Sequence, residues 1–166
     1  MVRKLLVVLV LAVLALVAHD NGRRISEADV HAHFREQMQA LAAFDSEAIC
    51  KAMAADYGVR SVEHAGGAVL RQTWDRTTGC GQMKDAVALM QVIHNQTGGM
   101  LGIDFSYEIT RIEIAPGGRR ATVESVATAR IAGRLLSRTR SKSELSRAWW
   151  HVRDHGGQTQ TWNYAG

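Results

Sequence analysis

The chain has 166 residues, of which 46% are hydrophobic, and it contains four tryptophans. This length and composition fit one globular domain with a single core and exclude a disordered chain. The formal net charge is +4 at pH 7, and aromatic residues are not interleaved with the basic ones as a base-stacking surface requires. We therefore expect no nucleic-acid partner.

A basic start followed by an apolar run marks the N-terminus. Arg3 and Lys4 precede residues 5–17, which are all Leu, Val or Ala, and polar residues resume after Ala18. A positive start, an apolar stretch of this length and a small residue at its end are typical of a secretory signal peptide. This pattern predicts that the protein is exported and is either periplasmic or secreted.

The same segment leaves an alternative open, because Leu16 stands where a cleavage site prefers a small residue. An uncleaved segment over residues 5–18 would anchor the protein to the membrane, and we expect membrane contact only through it. A helix of this length rises only about 20 Å, against a hydrocarbon layer of roughly 30 Å, which favours the signal peptide. The predicted division is a signal peptide over 1–18, a short linker over 19–25 and a single domain over 26–166.

Two cysteines, Cys50 and Cys80, lie thirty residues apart. In an exported domain, an even number of cysteines more often forms disulfides than free thiols. Neither cysteine has a second cysteine or a histidine pair at metal-ligand spacing, so we expect no metal site. The pattern predicts a Cys50–Cys80 disulfide, and free thiols are the alternative.

Helix signals dominate the first part of the domain. Ser26 followed by Asp29 is a variant of the capping box. Apolar residues then recur at spacings of three and four, which predicts one buried helix face: Val30, Phe34, Met38, Leu41. Asp45 is expected to cap a second helix that ends at Gly58.

Strand signals dominate the rest of the chain, apart from one more helix. Residues alternate in polarity from position 59 onward and again from 121 to 131, as in antiparallel strands with one covered face. Helices first and long hairpins last predict an α+β fold with helices on one face of a curved sheet. The expected elements are a hairpin over 59–73 turning at 66–67, a helix over 82–96, strands over 105–114, 121–131, 145–153 and 158–164, and turns at 115–118 and 154–157.

This order of elements resembles the nuclear transport factor 2-like superfamily, which includes ketosteroid isomerase, scytalone dehydratase and the SnoaL-type polyketide cyclases. The resemblance covers residues 26–164 and implies a cone-like roll, with the N-terminal helices in the concave face of a strongly curved, mostly antiparallel sheet. The isomerases have a tyrosine on the first helix, where this chain offers His31, His33 and Phe34, so no catalytic residue is carried over. The matching stretches are 43–49, 109–114, 121–123 and 149–157.

Three residues are candidates for acid–base chemistry. His94 lies near the end of the third predicted helix, and a pocket imidazole can exchange protons near neutral pH. Asp75 would either cap that helix or enter a cavity mouth, and Asp104 would be a base if it were partly desolvated. Each also has a structural interpretation, as a histidine bonded to a backbone carbonyl, a helix cap or a surface acid. His31 and His33 are expected to be exposed to solvent.

Four aromatic residues are candidates to line a pocket for a small apolar or amphipathic ligand: Tyr57, Trp74, Tyr107, Trp150. On the strand predicted over 145–153, we expect Trp150 to face inward and Trp149 to lie on the charged outer face. A homodimer through that face would use Trp149.

These observations predict an exported domain that binds a small ligand or a partner, with no cofactor. The alternative is a proton-transfer enzyme, an isomerase, dehydratase or cyclase, that uses His94 and an aspartate. Between Arg119 and Arg153 the chain has nine basic and two acidic residues. They form either a solvated sheet face or a surface that docks an anionic partner.

Overall fold

The computed structural model describes residues 2–164, so Met1 of the predicted signal peptide and residues 165–166 of the predicted domain lie outside it. Within the described part, helices come first and strands dominate the second half, as predicted. The helices are α1 (Val2–Asn21), α2 (Glu27–Ala42), α3 (Ser46–Ala52) and α4 (Arg76–Gln96). The strands are β1 (Met53–Ala65), β2 (Ala68–Asp75), β3 (Ile103–Ile114), β4 (Arg120–Ile131), β5 (Arg134–Ala148) and β6 (His151–Asn163).

The strands form one six-stranded sheet in the order β2-β1-β6-β5-β4-β3. All neighbouring strands are antiparallel except β1 and β6, which run parallel in the middle of the sheet. Helices α2, α3 and α4 pack against the sheet. The predicted α+β fold, with N-terminal helices on a curved and mostly antiparallel sheet, is confirmed.

The hydrophobic core lies between α2 and the inner face of β4 and β5. It consists of Ile25, Val30, Ala121, Val123 and Leu145, each with 3% or less of its surface exposed. Every second residue of β4 points to this side, which confirms the alternation predicted from 121 onward. Each fully buried Val or Leu contributes roughly 1.5–3 kcal/mol, so this small cluster is the main attachment of α2 to the sheet.

The start of α2 is capped as predicted and is also bound to the sheet. The Asp29 N–H donates to Ser26 Oγ at 3.2 Å, and the Ser26 N–H donates to Asp29 Oδ2 at 2.9 Å. Arg147 of β5 donates to the same Asp29 carboxylate at 3.0 Å and to the Arg24 carbonyl at 3.3 Å. The cap therefore fixes both the first residue of the helix and its position against β5.

Two further aspartates cap helices. Asp45 accepts the Ala48 N–H at 3.0 Å and Asp75 accepts the Thr78 N–H at 2.8 Å. The helix that Asp45 starts ends at Ala52, however, not at Gly58 as predicted, because residues from Met53 onward pair with β6. Tertiary strand pairing overrides the local helical pattern there.

The glycine-rich stretch at 154–157 is not the predicted turn but lies inside β6. The chain turns earlier, at Trp149–Trp150, where Trp149 has φ +58°. Both neighbours of β6 shift register at this stretch, β1 between Met53 and Gly58 and β5 between Ser143 and Leu145. Residues 154–157 thus form a bulge facing two strands at once.

Glycine is required in this bulge because backbone atoms of the adjacent strands leave no room for a side chain. Gly156 has φ +79°, and a Cβ there would overlap the carbonyl oxygen of Gly58. A Cβ at Gly157 would overlap the carbonyl oxygen of Lys142. The two glycines let β6 approach β1 on one side and β5 on the other.

The predicted disulfide is present. Cys50 of α3 and Cys80 of α4 are bonded, with their Cα atoms 5.3 Å apart. The bond joins two helices that precede and follow the β1–β2 hairpin. Closing a loop of this length in the unfolded chain stabilises the fold by about 3 kcal/mol.

The end of α1 contacts the domain, whereas its apolar residues 6–17 are exposed. Asp20 forms ion pairs with Arg24 at 2.7 Å and with Arg119 at 3.2 Å, and these two guanidinium groups lower the pKa of its carboxyl. The His19 ring lies edge-on to Trp149 with centroids 5.7 Å apart. Across residues 2–164, no helix combines the length and the apolar character needed to cross a membrane.

Substitution of Gly156 by alanine should lower the free energy of unfolding by about 3 kcal/mol or more, because the new Cβ meets backbone rather than a movable side chain. Gly81, inside α4, is the matched control, since a Cβ there has no neighbour within 4 Å. Gly81→Ala should raise stability by about 0.5–1 kcal/mol through helix propensity. Urea unfolding measures both, and equal stability of the two variants would contradict the assignment of the bulge.

Candidate functional site

An interior cavity of about 240 Å³ lies between α2 and the inner face of the sheet, beside the bulge. Its apolar wall comes from the core and its polar wall from β1, β5, β6 and α2. Several of its polar groups are hydroxyls or an amide, which bind ligands without carrying charge. The lining residues are His33, Phe34, Gln37, Tyr57, Val59, Ser141, Ser143, Leu145, Asp154, Gly156, Gly157 and Thr159.

His33 is 6% exposed, so the prediction that it faces solvent is wrong. It lies three residues after Val30 and four before Gln37, on a buried face wider than the predicted apolar stripe. Burial lowers its pKa to about 4, so the imidazole is neutral at pH 7. It therefore offers the cavity one N–H donor and one acceptor nitrogen.

Asp154 and Tyr57 are the two acidic groups of the cavity. Burial raises the pKa of the Asp154 carboxyl. The Gly156 N–H donates to Asp154 Oδ1 at 2.7 Å, and this hydrogen bond lowers the pKa by a smaller amount. Burial, with a smaller contribution from the nearby Asp154 charge, raises the pKa of Tyr57 to about 12. The Tyr57 hydroxyl therefore keeps its proton at neutral pH and is a hydrogen-bond donor.

The bulge brings these two side chains together. Tyr57 and Asp154 come from the parallel strands β1 and β6 at the point where their register shifts. The ring of Tyr57 also packs closely against α4, where a Cβ added to Gly79 would lie 2.9 Å from Tyr57 Cε1. Gly79 thus leaves the space that this ring occupies.

Two of the three acid–base candidates meet in a different place. His94 and Asp104 both line a groove of about 310 Å³ where α2 and α4 end and β3 begins, together with Phe44 and Met90. Both side chains are exposed, and the His94 ring lies 5.4 Å from the Phe44 ring, centroid to centroid. Asp75 lies apart from this groove and caps α4. A catalytic role for His94 and Asp104 stays a prediction.

The aromatic candidates do not form one pocket. Tyr57 lines the interior cavity, and Tyr107 packs beside it on the inner face, 5.4 Å from Phe34 between ring centroids. Trp74 lies towards the sheet edge, where its Nε1–H donates to Gln72 Oε1 at 3.0 Å. Trp150 is 82% exposed, so its predicted inward position is wrong, because the chain reverses direction at that residue.

The outer face of the sheet carries much of the basic segment. Arg138, Arg140 and Lys142 alternate along β5 and line an open groove of about 900 Å³. Arg140 lies over the ring of Trp162 at 5.7 Å, and Lys142 pairs with Glu124 at 3.4 Å. These three side chains are exposed on the outer face, and the docking of an anionic partner there stays a prediction.

The sequence pattern did not identify His33 and Asp154 as cavity residues. His33 belongs to the buried face of α2 by its spacing from Val30 and Gln37, so a wider helical stripe would have included it. Asp154 stands in a stretch whose two glycines also fit a turn. Its burial follows from strand pairing distant in sequence, and that pairing leaves no local signal.

Comparisons with known proteins agree with this architecture. The chain matches a solved nuclear transport factor 2-like candidate dehydratase from Streptomyces avermitilis, with 14% identity, TM-score 0.52 and coverage of 84% of this chain and 96% of that one. It also matches a nuclear transport factor 2-like protein of unknown function from Pseudomonas putida, with 11% identity, TM-score 0.50 and coverage of 81% and 84%.

A third solved structure is a candidate association domain of calcium/calmodulin-dependent protein kinase type II from Thiobacillus denitrificans. It shares 8% identity and a TM-score of 0.53, covering 80% of this chain and 93% of that one. No protein-family model and no curated protein matches the chain. At these identities the similarity concerns the fold, and it agrees with the sheet order and the helices on the inner face. The chain therefore has the nuclear transport factor 2-like fold.

Proposed function

We propose that the interior cavity binds a small, uncharged, amphipathic molecule. The observation that carries this proposal is that burial shifts three cavity residues, His33, Tyr57 and Asp154, toward their neutral forms. The cavity disfavours positive charge on His33 and negative charge on Asp154, so a charged ligand would lose hydration without gaining a counter-charge.

The size and walls of the cavity narrow the class of ligand. Its volume of about 240 Å³ lies below the 300–1,000 Å³ typical of sites for drug-sized molecules, which favours a small ring system. Phe34 and Leu145 would contact its apolar part. The hydroxyls of Tyr57, Ser143 and Thr159 would hydrogen-bond a hydroxyl or carbonyl group.

A second candidate function is proton transfer, as in an isomerase, dehydratase or cyclase. The observation that favours it is Asp154, a desolvated carboxyl with a raised pKa beside the Tyr57 hydroxyl. General acid–base catalysis works best when the pKa of the acid approaches the working pH. Asp154 suits this role better than His94 and Asp104, because it is buried in the cavity whereas those two side chains are exposed.

We also propose that residues 1–18 direct export and are removed. The Cys50–Cys80 disulfide supports an oxidising compartment, and the apolar run of α1 is exposed, whereas His19 and Asp20 contact the domain. The full chain can be expressed in a bacterium that has a periplasm. N-terminal sequencing of the protein from the periplasmic fraction should then show a product that begins near His19. Full-length protein in the membrane fraction would instead support the anchor over residues 5–18.

Binding should be measurable with 2-naphthol, a small neutral aromatic alcohol with intrinsic fluorescence. We expect saturable binding to the wild-type protein and loss of binding in Ser143→Leu, because the larger side chain fills the cavity. The matched control is Ser106→Leu on the exposed outer face of β3, which should bind as the wild type does. Equal binding by both variants, or none by the wild type, would contradict the proposed site.

The neutral His33 predicts a pH dependence of stability. Its pKa in the folded protein, about 4, lies below the unfolded value of 6.5, so the unfolded chain binds the proton more tightly. Stability should therefore fall by up to about 3 kcal/mol as the pH falls from 6.5 to 4. Because the pKa of Asp154 is raised in the folded protein, its contribution to stability increases as the pH falls. This contribution is the same in all variants compared.

Urea unfolding at about pH 7 and about pH 4 tests this with two variants of α2. His33→Gln should lose less stability on acidification than the wild type does. His31→Gln, at an exposed position of the same helix, should keep the wild-type loss. An acid sensitivity that is unchanged in His33→Gln would show that His33 is not held neutral by burial.

A further inference from the structure

Three side chains on the outer face of the sheet form a continuous hydrogen-bonded row beside the bulge. Ser146 Oγ lies 2.8 Å from His155 Nε2, and His155 Nδ1 lies 2.6 Å from Asp56 Oδ1. The residues come from β5, β6 and β1, so strand pairing holds all three. The His155 side chain is 15% exposed, whereas the Asp56 carboxylate is largely exposed.

The hydrogen bonds suit one arrangement of the protons. The bond with His155 lowers the pKa of the Asp56 carboxyl below its ordinary value, so Asp56 is a carboxylate and can accept the Nδ1–H. An imidazole with its proton on Nδ1 has its lone pair on Nε2, where it can accept the Ser146 O–H. In this arrangement the imidazole is placed to remove the serine proton.

We propose that Ser146, His155 and Asp56 form a nucleophilic site that cleaves carboxylic esters. Ser146 is the nucleophile, His155 the general base and acid, and Asp56 a positioning residue that holds the imidazole tautomer. Such a site is recognised by the geometry and roles of its groups and not by their order in the chain. It lies on the opposite side of the sheet from the interior cavity and is independent of the function proposed there.

The reaction proceeds in two balanced halves. Ser146 Oγ attacks the ester carbonyl carbon while His155 Nε2 takes the hydroxyl proton. The bond from that carbon to the alcohol oxygen then breaks, and His155 gives the proton to the departing alcohol. Water next attacks the acyl-serine and loses a proton to His155, the bond from carbon to Oγ breaks, the proton returns to Ser146 and the carboxylic acid leaves.

The surroundings supply a place for the ester and a positive charge. His155 lines an open groove of about 500 Å³ on the outer face. Arg120 stands opposite Ser146 in the β4–β5 register and pairs with Glu144. Its charge also contributes to the lowered pKa of Asp56, which places the guanidinium near the row. Arg120 is thus a cation near the place where the oxyanion forms during attack.

Covalent labelling tests the proposal on the full chain. A fluorophosphonate ester reacts with activated serines, and mass spectrometry of the digested product locates the label. We expect one label, on Ser146 of the wild-type protein, and none on Ser146→Ala or His155→Gln. Ser137→Ala removes a serine from the opposite face of the same strand and should be labelled like the wild type. Hydrolysis of 4-nitrophenyl acetate should follow the same order.

Asp56→Asn separates positioning from simple structural support. It should lower the maximal labelling rate by a factor of roughly 10 to 10⁴ and leave the half-saturating probe concentration unchanged, because Asp56 does not contact the probe. A wild-type protein that takes no label on Ser146 would overturn the proposal. So would an Asp56→Asn variant that is labelled at the wild-type rate. The position of the label on wild-type protein decides the case even where a variant does not fold.

Discussion

The bulge at residues 154–157 is the constraint on which the rest of this structure depends. Gly156 and Gly157 have no side chains, so β6 can lie against backbone carbonyls of β1 and β5. The register shifts on both sides of β6, because β1 has more residues than β6 between Met53 and Gly58, and β6 has more than β5 between Asp154 and Gly157. Since side chains alternate along each strand, neighbouring residues of β1 and of β6 lie on opposite faces of the sheet. Tyr57 and Asp154 point inward, while Asp56 and His155 point outward.

The two faces have opposite physical character although they share a backbone. The inner face removes water from its titratable groups, so charge is unfavourable there and His33 stays neutral. The outer face keeps its charged groups in water and pairs several of them, as in Lys142 with Glu124. Such exposed pairs add little stability. The core around Val123 and Leu145 and the capped start of α2 hold the fold together, which leaves the outer face free to carry chemistry.

Local signals predicted much of the fold. The caps at Ser26 and Asp45, the hairpin at 66–67 and the alternation of β4 each follow from residues close together in sequence. For Asp75 a cap was one of two alternatives, and the helix that it caps begins at Arg76 and not at the predicted residue 82. Features set by distant strand pairing were missed. The parallel pairing of β1 with β6 ends α3 at Ala52. The same pairing places residues 154–157, which have the composition of a turn, in a bulge of β6.

The candidate sites follow the same division. The sequence indicated Tyr57 as a pocket residue, and it named His94 and Asp104, which the structure places in one groove. It did not indicate the cluster of His33 with Asp154, nor the row from Ser146 to Asp56. Those groups come from α2, β1, β5 and β6, and only the completed sheet brings them together. The error at Trp150 has the same origin, since the misplaced turn reversed the expected direction of its side chain.

The position of β6 also has a consequence for how the chain folds. The last strand in sequence lies third in the sheet, between one of the earliest strands and the β3–β5 meander. Without β6, no strand pairing joins the β1–β2 hairpin to the three strands β3–β5. Closure by such long-range contacts is slow. The complete sheet therefore cannot form before residues up to Asn163 are available, a property that is compatible with passage of an unfolded chain through the export machinery proposed above.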